Sequence, residues 1–323
     1  MSMRPLDEIL KRLDTLPEDE LKELERFVDR ALGDGVSKTW CPTVGPQKDA
    51  MDSEADELFY GGSAGSGKTD LLVGLSLTRH RRSLVLRRTN KEASKLVERY
   101  VEILGSRQGW NGQDDVWHLP KGRVIDIGGC QHEDDRQKYK GTPRDGLFFD
   151  EIADFSESQY RFIITWNRSS NPTQRCRVVA AGNPPTTPEG LWVIQYWAPW
   201  LDQNHPAPAR PGELRWFTTV NGKDAGVDGP GPHLVNGEMV RARSRTFIPG
   251  TLADNPYLSR TNYGATLAAL PEELRAAYKE GRFDKSLRDH PKQVIKWEWS
   301  SPRRSDGRRN LAARQACRCA RWA

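Results

Sequence analysis

No apolar run in this chain approaches the roughly 20 residues that a membrane span needs, so no membrane segment is expected. A secretory signal is missing as well, because the N-terminus, MSMRPLDEILKRLD, mixes acids and bases where such a signal carries an apolar stretch. Cysteine is sparse. Cys41, Cys130, Cys176, Cys317 and Cys319 are an odd number without a disulfide-framework spacing, which favours a reducing compartment and makes the cytoplasm the expected location. Internal repeats are absent, so no repeat architecture is expected. Excess basic charge is lacking from the body of the chain. The whole chain is at +5, but its last 22 residues hold seven arginines against one aspartate, a balance of +6, so the remainder sums to about −1. Overall basicity is therefore no argument that the folded body binds DNA.

At 323 residues the chain has length for roughly two domains at about 150 residues each. Residues 5–32 read as helix, with one apolar stripe at Leu6, Ile9, Leu10 and Leu13 and a second, after Pro17, at Leu21, Leu24, Phe27, Val28 and Leu32. Such an appendage either packs on the parent domain or docks a partner. GDGVSKTWCPTVGPQ is turn-rich and reads as a linker. From about Asp56 short apolar runs alternate with helical stretches: ELFYGG, DLLVGLSLTRH, SLVLRRT, KEASKLVERYVEIL. That alternation predicts a parallel α/β sheet. DVWHLP and GRVIDIGG form a hairpin-like pair around Pro120, Lys121 and Gly122, and GLFFDE, CRVVAAGN and LRWFTTV are further strands. A Pro- and Trp-rich stretch covers 184–211, a Gly/Pro loop surrounds 226–232, and LPEELRAAYKEGRF is helical.

Gly62, Ser63, Ala64, Gly65, Ser66, Gly67, Lys68 and Thr69 satisfy every fixed position of G-x-x-x-x-G-K-[ST], between an apolar strand and an apolar helix. Small residues let successive N–H groups turn toward phosphate oxygens, and the helix start adds its positive end. Lys68 reaches the outer phosphates, and the Thr69 hydroxyl is a ligand for Mg2+. Leu147–Asp150 then reads as a strand buried on both faces that ends in two carboxylates. Asp150 is expected to hold Mg2+ through its water shell, while Glu151 orients and deprotonates an attacking water, which favours hydrolysis over transfer to a small molecule. Asn183 closes another buried strand in CRVVAAGNPP and reads as a sensor of hydrolysis. Gln47 is either a reader of the adenine edge or a linker glutamine. A cation must also meet the developing charge, and Lys138, Lys140 and Arg144 precede the acidic strand. Arg87 and Arg88 end a strand near the loop, with nucleotide, neighbour and DNA all open as partners.

Taken in order, GPQ, YGGSAGSGKTD, LVLRRT, KYKGTPRDGLFFDEI, RVVAAGNPP and SRTFIPGTLADNPYL resemble the ATPase domain of the large terminase subunit of tailed bacteriophages, over roughly residues 40–290. The resemblance implies an α/β P-loop NTPase of the ASCE type: a mostly parallel central sheet flanked by helices, with a small C-terminal lid. Boundaries follow at 1–38 for the N-terminal helical segment, 39–245 for the ATPase core, 246–290 for the lid and 291–323 for an Arg-rich tail. It further implies ATP and Mg2+ as cofactors, with Gln47 near adenine, Gly62 to Thr69 on phosphate and metal, Asp150 and Glu151 as metal-binding and catalytic acids, and Asn183 coupling hydrolysis to movement. The implied partners are double-stranded DNA, a portal protein and a small terminase subunit. The implied action is DNA translocation into a procapsid by a homo-oligomeric ring docked at the portal in the host cytoplasm.

Two departures qualify the match. Some relatives carry an arginine inside the phosphate loop where Ser63 and Ala64 stand, and Lys140 lies near the place of a trans-acting arginine in others. After Asp289 neither a sheet nor an acidic cluster follows, so no nuclease is expected from this chain. The tail, expected to be disordered, reads either as a DNA-binding extension or as a gene translated out of frame. A helicase-like ATPase and a nucleotide-binding assembly subunit that does not pump are the alternative functions.

Overall fold

The apolar runs come together as one central sheet. The computed structural model describes residues 40–284, with Leu16, Pro17 and Glu20 of the N-terminal stretch. The expected helix over 5–32, and the tail with its reading-frame and nuclease expectations, lie outside the described residues.

In chain order the strands are β1 (Glu57–Gly62), β2 (Arg82–Arg87), β3 (Trp110–Asn111), β4 (Val116–Leu119), β5 (Arg123–Gly129), β6 (Gly146–Asp150), β7 (Arg177–Gly182), β8 (Arg215–Val220), β9 (Lys223–Val227), β10 (His233–Val235), β11 (Glu238–Val240) and β12 (Arg243–Gly250). The helices are α1 (Pro46–Asp52), α2 (Lys68–Thr78), α3 (Asn90–Leu104), α4 (Glu157–Ile164), α5 (Trp192–Tyr196), α6 (Ala198–Leu201), α7 (Tyr263–Ala268) and α8 (Glu272–Tyr278). Ten strands share the order β3-β4-β5-β2-β6-β7-β1-β12-β8-β9, and β10 and β11 form a separate hairpin. From β5 to β12 every pairing is parallel. Antiparallel strands close both edges.

Because side chains alternate across a strand, a run that is apolar throughout must be covered on both faces. Leu58 and Tyr60 of β1, Val85 of β2, Phe148 of β6 and Val179 of β7 pack with α2 and α3 through Leu71, Leu75, Leu96 and Tyr100. Their strand neighbours Phe59, Leu84, Phe149 and Val178 pack on the other face with Tyr160, Ile163, Trp192 and Trp197. Each such side chain removed from water contributes roughly 1.5–3 kcal/mol. α3 is fixed at its start by a capping box, in which Thr89 accepts from the Glu92 amide and Glu92 accepts from the Thr89 amide.

Parallel strands in this order bring three chain ends to one edge. Gly61 lies opposite Gly182, Asp150 opposite Ala181, and Gly62 opposite Gly250. The phosphate loop, the acidic pair and Asn183 therefore meet at the carboxyl edge of the sheet, where ligands bind in open α/β folds.

Three details differ from the sequence reading. Pro46 begins a helix rather than ending a linker, because a proline at the first turn sacrifices no needed donor. The Gly/Pro loop starts only after Val227, since β9 pairs with β8 up to that residue. Strand β12 runs through the 245/246 boundary drawn between core and lid, being paired with β1 from Arg245 to Gly250.

Candidate active site

β1 turns sharply at Gly62, whose φ of 138° only glycine adopts with ease and where a Cβ would sit 2.2 Å from the Gly250 carbonyl oxygen. Gly67, at φ 78°, caps α2 without lending a side chain to its first turn. The N–H groups of Gly65, Ser66 and Gly67 have no hydrogen-bond partner among the described residues. Free amides beside a helix start form a cradle for an anion. Lys68 Nζ folds back to donate to the Ser63 carbonyl at 2.6 Å, with Ser66 Oγ at 3.4 Å. Burial pulls its ammonium below the usual value, and the Glu151 and Asp150 charges oppose that pull.

At the end of β6, the buried Asp150 accepts from Thr69 Oγ1 at 3.0 and 3.2 Å and from Arg87 Nε at 2.7 Å. An Arg87 amino group also lies 3.4 Å from Thr69 Oγ1. A guanidinium thus stands against the hydroxyl and the carboxylate that could together hold a divalent cation. Among the described residues no group of three or more His, Cys, Asp or Glu could hold a metal, so a cation here would also need ligand oxygens. Glu151 follows in the left-handed region at φ 57° and ψ 58°. That backbone costs a non-glycine residue on the order of 1–3 kcal/mol. Its half-buried carboxylate accepts no hydrogen bond from the described residues. Burial, and then the Asp150 charge, push it up to about 7 against the opposing Lys68 and Arg87 charges. Asn183, buried after β7, donates from Nδ2 to the Gly62 carbonyl at 2.8 Å.

Not every expected residue points into the cleft. Ser63 and Ala64 give their N–H groups to the Gly250 and Tyr278 carbonyls, at 3.0 and 2.7 Å, so their amides are spent within the protein. Gln47 is buried and committed: its Oε1 accepts from the Thr43 amide at 2.6 Å and its Nε2 donates to the Gly67 carbonyl at 2.9 Å. It thereby braces the loop. Lys140 is exposed and does not line the cleft. Lys138 pairs with Asp135 and Arg144 with Asp126, and neither cation lines the cleft. Arg87, left with three open partners, meets the aspartate of its own chain.

Residues after β12 close the site, which spacing alone did not reveal. Asn255 Nδ2 donates to the Gly65 carbonyl and the Leu252 amide to Ser63 Oγ, both at 2.7 Å. Asn255, Leu258 and Tyr263 line the cleft with Lys68, Thr69 and Glu151, around about 330 Å3. A larger cavity of about 710 Å3 lies between α4 and the β8–β9 hairpin. Chemistry rather than size marks the smaller one.

The family described as "Terminase large subunit, T4likevirus-type, N-terminal" matches residues 59–288. No curated protein matches. Among solved structures, the large terminase of a thermophilic bacteriophage aligns with a TM-score of 0.50 at 15% identity, over 75% of this chain and 54% of that one. The same terminase in complex with ADP aligns with a TM-score of 0.50 at 15% identity, over 74% of this chain and 53% of that one. The ATPase domain of the Thermus phage P74-26 large terminase aligns with a TM-score of 0.45 at 12% identity, over 74% of this chain and 93% of that domain. At such identities the likeness extends to the fold alone, and this chain spans about half the length of the thermophilic phage's terminase.

Proposed function

The chain belongs to the large terminase family, and from that premise we propose that it is an ATP-hydrolysing motor subunit that moves double-stranded viral DNA into a procapsid. The observation that carries the hydrolytic part is Glu151: a carboxylate held in left-handed backbone beside the phosphate cradle, without a hydrogen bond of its own, and pushed up to about 7. A general base works best when its affinity for a proton lies near the operating pH. Glu151 orients the attacking water and takes its proton. The Gly65 to Gly67 amides and Lys68 bind the phosphates, and release of the Lys68 ammonium from the Ser63 carbonyl lets it meet them. Asn183 ties the loop to the end of β7, so a change at the outer phosphate is felt by the sheet.

The site fits a divalent cation, since Arg87 already holds a positive charge against Thr69 Oγ1 and Asp150. Thr69 and Asp150 would hold Mg2+, which when bound neutralises charge on the phosphate oxygens. Lys140, exposed on its own subunit, serves as the charge-stabilising cation only toward a neighbour's nucleotide, which calls for a ring. The lid is drawn after Gly250, with Asn255, Leu258 and Tyr263 as its cleft-facing residues. A portal protein and a small terminase subunit complete the partners, at the procapsid in the host cytoplasm. That a large terminase of like fold is solved with ADP supports the choice of nucleotide.

The deciding measurement is ATP turnover with double-stranded DNA and procapsids, compared with DNA alone. Stimulation that requires both is the expected result. Turnover indifferent to DNA and procapsid would overturn the motor and leave a nucleotide-binding assembly subunit.

A further inference from the structure

The opposite edge of the sheet holds a second concentration of positive charge that the nucleotide cleft does not use. Arg177 opens β7, one six-residue strand from Asn183, hence about 17–20 Å from the cleft. Its side chain is only 1% exposed. The two amino groups donate to the Met51 and Ala50 carbonyls, at 3.1 and 3.0 Å, and so cap the C-terminal turn of α1. Nε has no partner. Capping occupies two amino groups but brings no negative charge, since both acceptors are neutral carbonyls. A guanidinium buried with no carboxylate bound directly to it is costly. Burial, followed by the Arg175 and Arg79 charges, pulls Arg177 down to about 9 against the opposing Asp52 charge, which still leaves it charged at neutral pH.

Arg177 forms the floor of a cavity of about 380 Å3 with the exposed Arg79 and Arg175 at its mouth and Thr173 and Gln174 on its wall. Asp52 supplies the one carboxylate of that lining. It is shared between Lys48 and Arg79, the latter 3.7 Å away. Asp56, which also faces Arg175, is bound instead to the Ser244 amide and hydroxyl at 2.8 Å each. His80, buried on the same floor, has Nδ1 3.3 Å from the buried Asp145 carboxylate, and burial holds its ring below the usual value against the pull of that carboxylate. Three guanidinium groups therefore face one carboxylate that is already engaged. Next to this mouth the chain continues TRHRRS, and Arg81 and Arg82 are exposed along the same edge.

We propose that this cavity is a second phosphate-binding site, distinct from the Gly62–Thr69 loop, and that it takes a phosphodiester of the nucleic-acid backbone. Arginine forks match phosphate oxygens, and Thr173 and Gln174 add neutral donors. The open mouth and the adjacent Arg81 and Arg82 favour a polyanion over a small free anion, because successive phosphates can each meet a charge. Such contacts hold and orient a duplex without reading its sequence. The choice of a nucleic acid rests on the DNA-handling role proposed above, whereas the pocket itself does not.

The test is the affinity of the full chain for a fluorescent duplex of mixed sequence, without nucleotide, over a series of salt concentrations. Arg79→Ala/Arg175→Ala, both exposed, should weaken binding on the order of tenfold and flatten the slope of log affinity against log salt by about 1.8. Lys95→Ala/Arg107→Ala removes equal exposed charge from the α3 region and should leave that slope nearly unchanged. Arg177→Met should weaken binding as well, and the exposed pair decides the matter if that variant does not fold. Equal losses in both double variants would overturn the site in favour of general attraction, and no loss in either would overturn it outright. Stabilisation of the wild type by inorganic phosphate that Arg177→Met abolishes, with duplex affinity unchanged throughout, would overturn the phosphodiester and leave a small-anion pocket. ATP turnover in the same variants separates the two proposals. Turnover intact with unaltered duplex binding sinks this site alone, and absent turnover in the wild type, with a salt slope that still responds to the variants, sinks the motor alone.

Discussion

Two glutamates sit at opposite edges of one sheet, and their surroundings could hardly differ more. Glu57 opens β1 and is 1% exposed. Its Oε2 accepts from the Tyr160 and Tyr196 hydroxyls at 2.8 Å each, and its Oε1 faces Arg243 at 3.5 Å and Arg245 at 3.8 Å. Arg245 lies over the Tyr196 ring at 3.6 Å and also binds Asp224 at 2.6 Å, which in turn holds Arg161. Burial opposes the charge on Glu57, but the two arginines and then the two tyrosines outweigh it and keep the carboxyl below its usual value. Glu151 follows β6 at the other edge with no such partners, and burial and Asp150 drive it the opposite way. A satisfied carboxylate holds elements together, here β1, β12, α4, α5 and the β8–β9 hairpin. An unsatisfied one, kept in strained backbone, is available for chemistry.

The comparison can be broken most sharply at Glu151. Glu151→Gln should lower steady-state phosphate release by about 10²–10⁴-fold, with the affinity for a fluorescent ATP analogue nearly intact. Its urea midpoint should stay at or slightly above the wild-type value, because a charge that repels Asp150 has gone. Sustained turnover would remove Glu151 from its assigned role.

Glu57→Gln should do the reverse. Leaving Arg243 without its buried counter-charge, and Arg245 with Asp224 alone, is expected to cost about 3 kcal/mol in urea unfolding. A midpoint equal to that of the wild type would mean that the network contributes nothing. Tyr160→Phe removes one hydrogen bond to the same carboxylate and should cost about 1.5 kcal/mol, a gentler version of the same lesion.

The smallest effect lies in pH. A carboxyl lowered on folding stabilises fully above its unfolded value of about 4.3, and that contribution is lost as pH falls through the lower folded value. Unfolding midpoints followed downward from pH 6 should therefore drop more steeply for the wild type than for Glu57→Gln. Parallel curves would show that another carboxylate dominates acid sensitivity.

Much of the nucleotide edge was legible because its residues lie in short contiguous motifs. ELFYGG, GLFFD and RVVAAG are strands with apolar residues on both faces, and the phosphate loop, Asp150, Glu151 and Asn183 follow directly from their ends. Gln47 was left open for a definite reason: an amide can meet a base or a backbone carbonyl equally well, and its contact with the Gly67 carbonyl depends on a residue 20 positions away. The pairing of Arg87 with Asp150 was hidden likewise, since β2 and β6 are neighbours by sheet order rather than by sequence. The Arg177 pocket and the Glu57 network were not visible at all. The latter joins Glu57, Tyr160, Arg161, Tyr196, Asp224, Arg243 and Arg245, which come from five elements far apart in the chain.

By itself the sequence determined that a Gly-rich loop, two acids and an amide would stand at the ends of buried strands, because strand alternation and loop chemistry are local properties of the chain. Tertiary structure alone decided which charges are satisfied and which are left free. That outcome depends on distances between residues far apart in the chain, and a buried charge changes from scaffold to reagent according to whether a partner lies within about 3 Å.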